Sequence, residues 1–134
     1  MNRTHLEGAA EALAAQQGYA FHTGSEDGMA HTVRSYPAAW LAPLELHAVE
    51  GRGHGRATYD MTLHLLSSGA RLSPAERRAA LARMEEQLLE IFAALSLDER
   101  VLAVEGLSVR PRAFALTPHG EISQTAAARI VTFF

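Results

Sequence analysis

Seven histidines, His5, His22, His31, His47, His54, His64 and His119, are the residues here best able to hold a metal ion or move a proton. A zinc site readable in sequence sets two ligands on adjacent helical turns or across a short loop, because the ion draws its donors to within about 2 Å. These histidines instead stand at separations such as 9, 16 and 17 residues. Strand histidines can still converge in space, but the spacing itself reads as dispersed, solvated or hydrogen-bonded side chains. No metal and no cofactor is expected.

Other chemistries are excluded by residue type. The chain has no cysteine, which removes disulfides, thiolate metal sites and thiol nucleophiles. All 12 basic residues are arginine, so a phosphate-loop lysine, a Schiff base and a lysine general base are absent too. No Gly-x-Ser-x-Gly elbow occurs, and Ser73 is explained as a helix cap. Gly51-Arg52-Gly53-His54-Gly55 has the texture of a phosphate cradle, yet a strand pattern comes next, where a helix N-terminus would be needed. It reads as a hairpin tip made cationic by Arg52, His54 and Arg56, able to meet an acidic surface. Glu45 and Asp60 are a candidate carboxylate pair whose meeting depends on strand register, and His119-Gly120-Glu121 reads as a plain turn.

Composition sets the frame for these residues. With 134 residues, 48% hydrophobic and 20% charged, the chain fits a single globular domain over 1–134. A net charge of -3 argues against generic nucleic-acid binding. Glu7 and Glu11 interrupt the alanine-rich N-terminal stretch, so no signal peptide is expected. No run of about 18 apolar residues spans a membrane. A soluble, cytoplasmic protein is the expectation.

The elements emerge from pattern. Thr4-His5-Leu6-Glu7 has capping-box spacing before an alanine-rich run stopped by Gly18, predicting a helix over about 4–17. Tyr19 to Thr23 reads as a short extended piece, Gly24 to Gly28 as a turn, and Met29 to Tyr36 as a strand. Leu44, Leu46 and Ala48 alternate, as do Tyr59, Met61, Leu63 and Leu65, predicting a hairpin. Two registers satisfy it: one sets Glu45 opposite Asp60, the other sets His47 there. Ser73-Pro74-Ala75-Glu76 opens a helix over about 74–95 whose apolar stripe is Leu81, Met84, Leu88, Ile91 and Leu95, widened by Phe92. A strand over 100–109, disturbed at Gly106, an interruption at Arg110-Pro111-Arg112, a resumed strand over 113–116, a turn at Thr117 to Gly120 and a last strand over 122–134 complete the chain. The fold class is α+β: an antiparallel or mixed sheet with a short N-terminal helix and one long amphipathic helix packed on it.

Large apolar groups fall where burial inside one copy is not assured: Pro-flanked Trp40, and Phe133 and Phe134 beside the last strand. Trp40 reads as either a core anchor or an interface residue. With Arg52, His54, Arg56, Arg110 and Arg112, these form the candidate interface. The order of elements, together with Tyr36-Pro37-Ala38-Ala39-Trp40-Leu41, the strand Tyr59 to Leu66 and the closing Thr117-Pro118-His119-Gly120, resembles the tail-terminator or tail-completion proteins of long-tailed phages and prophages. The resemblance implies a non-enzymatic subunit that forms a ring on the tail tube and meets the head connector. It carries no motif that transfers functional residues. The alternative is a small-ligand-binding domain or enzyme with a pocket between the long helix and the sheet.

Overall fold

A computed structural model describes residues 2–134. The best-specified element is the long helix, Pro74–Ser96. It opens with a full capping box: the Glu76 amide donates to Ser73 Oγ and the Ser73 amide donates back to Glu76 Oε1, both at 3.1 Å. Its stripe is Ala80, Met84, Leu88, Ile91, Phe92 and Leu95, all buried, with Leu81 half-buried at the margin. The N-terminal helix α1, Asn2–Gln16, buries Leu6, Ala10 and Ala14 at i, i+4 and i+8. It begins before Thr4, which sits inside the first turns and caps nothing. Instead the Asn2 side chain ties the start to the sheet, donating to Thr132 Oγ1 at 2.9 Å.

The remaining elements in chain order are β1 (Ala20–Thr23), a 3-10 turn (Glu26–Gly28), α2 (Met29–Thr32), β2 (Ala38–Leu41), β3 (Glu45–Arg52), β4 (His54–Ser67), the long helix as α3, β5 (Val101–Pro111) and β6 (Ile122–Phe133). The strands form one mixed six-stranded sheet, ordered β1-β2-β4-β6-β5, in which β1 and β2 are parallel and the other pairs antiparallel. β4 is long enough for β2 and β3 to share one of its edges, while β6 runs along the other. α1 and α3 cover one face, where alternate residues Ala57, Tyr59, Met61, Leu63 and Leu65 meet Ala126, Ala128 and Ile130.

The hairpin takes the register that sets Glu45 opposite Asp60 and Leu46 opposite Tyr59, then bulges at His47. The extra residue reverses the face of the rest of the strand, so Ala48 pairs with Thr58 instead of joining Leu46 on the helix side. β3 buries little all the same: Leu46 and Val49, opposite Tyr59 and Ala57 on the helix side, are 51% and 56% exposed.

Two expected strands are absent. Residues 29–36 begin with a helical turn because Met29 and Val33, four apart, are the pair that is buried, whereas His31 and Ser35 are exposed. Met29 and Val33 pack on Ala38, Trp40 and Leu66, a second small core covering one end of the sheet's other face. Residues 113–116 form a loop, and Phe114 projects from it 86% exposed. Gly106, at φ +63, lies within the bulge that shifts β5 against β6 between Glu105 and Ser108.

Candidate functional site

His64 is a buried polar side chain of the sheet with both ring nitrogens hydrogen-bonded. It projects from β4 toward the face opposite α3, next to β6, and is 1% exposed. Its Nε2 lies 2.7 Å from Glu26 Oε1 and its Nδ1 2.7 Å from Thr125 Oγ1. Burial pushes its pKa below the ordinary 6.5, against the opposing hydrogen bond to Glu26, and Arg112 adds to the lowering. Carboxylate, imidazole and hydroxyl in line invite a catalytic reading. Both ring nitrogens are committed to protein partners, however, and β6 is paired on both sides, so the amides around Thr125 belong to ladders and not to an oxyanion site. What the ring does is join the 3-10 turn to two strands.

Beyond Trp40 the same face is open. Asp60 stands 3.5 Å from the Arg129 guanidinium, which offsets its cross-strand repulsion with Glu45, and 3.6 Å from His47. Three other histidines have partners of their own: His5 binds Asp98 at 2.7 Å, His22 stacks on Trp40, and His119 lies edge-on to Tyr36. Among the described residues no three His, Asp or Glu side chains form a metal-binding group.

The candidate interface residues separate into two groups and one exception. The exception is Trp40, which is 2% exposed and donates its indole N–H to the Gly24 carbonyl at 2.9 Å. It is a core residue, and its proline neighbours mark a short strand packed under α2. Arg52, His54 and Arg56 are exposed at the hairpin tip, next to Phe133 and Phe134, which are 47% and 49% exposed. The Gly55 and Phe134 backbones exchange two hydrogen bonds, at 3.0 and 3.1 Å. Asn2, Ala57, Tyr59, Arg100, Phe133 and Phe134 line a mainly apolar groove of about 600 Å³ there.

Arg110 and Arg112 are exposed at the opposite end of β5. They border a depression of about 660 Å³ with Ser108, Phe114 and Thr125. The loop carrying Phe114 is held by Glu121, which is 3% exposed. Its carboxylate accepts from the amides of Leu116 and Thr117 at 2.5 and 2.9 Å and from Thr117 Oγ1 at 2.7 Å. In sequence Glu121 reads only as part of a turn, and the apparent alternation over 113–116 hides Phe114. The signal that could have found it is a bulky residue set between Pro111 and Pro118.

Beneath the centre of α3, Met84, Leu88, Ile91 and Leu95 are at most 2% exposed. A cavity of about 120 Å³ lies at its N-terminal end, lined in part by Arg77 and Leu81, and the larger depressions lie elsewhere. Among the described residues no helix is long and apolar enough to cross a membrane. Compared with protein-family models the chain matches none, and among curated proteins none is significantly similar to it.

Proposed function

We infer that this chain is a non-enzymatic structural subunit that assembles with copies of itself, of the kind that caps the tail tube of long-tailed phages and prophages. The observation that carries this reading is a single sheet with two flanks, on opposite sides, left unpaired among the described residues. β3 pairs only with the β4 edge and β5 only with β6, and they carry exposed Leu46, Val49 and Leu102. Unpaired strands are templates for another chain, and a head-to-tail contact between unlike surfaces closes into a ring after a few copies. Bulges at His47 and at Glu105–Ser108, with Pro111 beyond, blunt both flanks and favour a free subunit that waits for its partners. In a phage those partners are the tail-tube and head-connector proteins, and the subunit ends in the virion after folding in the cytoplasm.

Light scattering over a concentration series, alone and with a tail-tube protein encoded beside it, is the test, with electron microscopy for rings. Association in at least one condition is expected. A strict monomer in both conditions would shift the reading to ligand binding at the Arg110–Arg112 depression.

A further inference from the structure

We propose that the outward face of α3 on one copy docks in the apolar groove at the end of the sheet on a second copy; this rests on the self-assembly reading and names its contact. The receiving surface is the groove lined by Ala57, Tyr59, Arg100, Phe133 and Phe134. It continues across the β3–β4 ladder, where Leu46 and Val49 lie opposite Tyr59 and Ala57 on the same face and are about half exposed. Its charge is of one sign. Arg3 stands 5.4 Å over the Tyr59 ring and Arg100 is in the wall, and no acidic side chain lines the groove. Neither arginine forms an ion pair among the described residues. A matching occupant brings apolar side chains with carboxylates beside them.

α3 carries that combination on the side turned away from its own sheet. Met84, Leu88, Ile91 and Leu95 are buried beneath it, while Leu89 and Ala93, with Leu97 just past the helix end, repeat at every fourth position on the exposed side. Leu89 is 46% and Leu97 86% exposed. The charged residues from Glu85 to Glu99 are all acidic: Glu85, Glu86, Glu90, Asp98 and Glu99. His5 takes Asp98, and Gln17 donates to Glu90 at 2.8 Å, but the four glutamates form no ion pair among the described residues. The helix cannot turn this face to its own groove, because its opposite stripe is core. The occupant is therefore a second copy, whose helix lays an apolar stripe with acidic margins into a groove with basic margins. Helix face and sheet end are unlike surfaces, so the contact is head-to-tail and can repeat from copy to copy.

The experiment uses the full chain in analytical ultracentrifugation over a wide concentration range. Leu89→Gln combined with Leu97→Gln, and separately Leu46→Gln combined with Val49→Gln, should each weaken self-association by about tenfold or more, as loss of central apolar contacts does. All four side chains are exposed in one copy, so the fold should survive. Mixed together, the two variants should form a dimer that neither forms alone, since one intact helix face then meets one intact groove. Glu86→Arg with Glu90→Arg should weaken association, as should Arg100→Glu, and the three in one chain should recover part of it. Added salt should weaken the wild-type contact. Weakening by the groove variant alone would mean that another segment fills the groove, and would overturn the assignment of α3. Association that survives both variants would overturn this contact while leaving self-assembly standing. A wild type that stays monomeric at every concentration would also overturn the contact, and its behaviour with the tail-tube protein would then decide the wider reading separately.

Discussion

Burying an imidazole between a carboxylate and a hydroxyl couples the state of one residue to the fold. The folded protein favours neutral His64, because burial has lowered its pKa from the unfolded value near 6.5. By linkage, a base depressed by folding contributes its full stability above its unfolded pKa and loses it as pH falls below that value, since the unfolded chain then binds the extra proton. The urea midpoint should therefore fall as pH drops below about 6.5, and it should fall less steeply in His64→Gln. Equal slopes in the two proteins would assign the acid sensitivity elsewhere. Nothing local in the sequence marks His64: it is one of seven histidines, and its partners Glu26 and Thr125 come from distant elements. Trp40 is misleading for the opposite reason, since flanking prolines suggest an edge while tertiary packing under Met29 and Val33 buries it.

At the scale of elements, legibility depends on how local the determinants are. α3 is readable because cap and stripe both lie inside it or at its start. Leu88→Ala should cost about 2–5 kcal/mol in denaturant melts, the range for truncating a core leucine. A loss under about half a kcal/mol would mean that the stripe is not core. The bulge at His47 is not readable, since it depends on what β4 offers across the ladder. Alternation alone allows two registers, and the bulge brings His47 near Asp60 while retaining Glu45 opposite it. Met29, His31 and Val33 fit alternation as well as a helical turn, and only the burial of Met29 with Val33 decides. In the hairpin tip the glycines differ in kind. A Cβ on Gly55 would stand 2.0 Å from the Glu50 carbonyl oxygen, whereas one on Gly53 meets nothing and suffers only from its φ of +61. Gly53→Ala should cost about 1–2 kcal/mol, the usual left-handed penalty. Gly55→Ala should cost more and should loosen amide protection along β3, measured by hydrogen exchange. A reversed order would mean that the tip relaxes freely.

For the whole molecule, the α+β class and the placement of the long helix are predictable because apolar periodicity leaves few ways to cover one sheet. The strand order is not. It depends on β4 accepting two partners on one edge, with Pro43 in the break between them, and no periodicity encodes that sharing. The groove is hidden similarly, because Ala57 and Phe133 become neighbours only once the β4–β6 register is known.

That central pair has a consequence during synthesis. β4 cannot gain its main partner until the ribosome has released residues up to Phe133, after all of α3 and β5 have been made. Until then the apolar stripe of α3 has no completed sheet to cover, and the nascent chain is exposed to mispairing and to chaperones. Contacts between segments so far apart in sequence also close slowly. Premature termination anywhere before β6 would therefore remove the strand that joins β4 to β5 and leave β5 without its ladder partner.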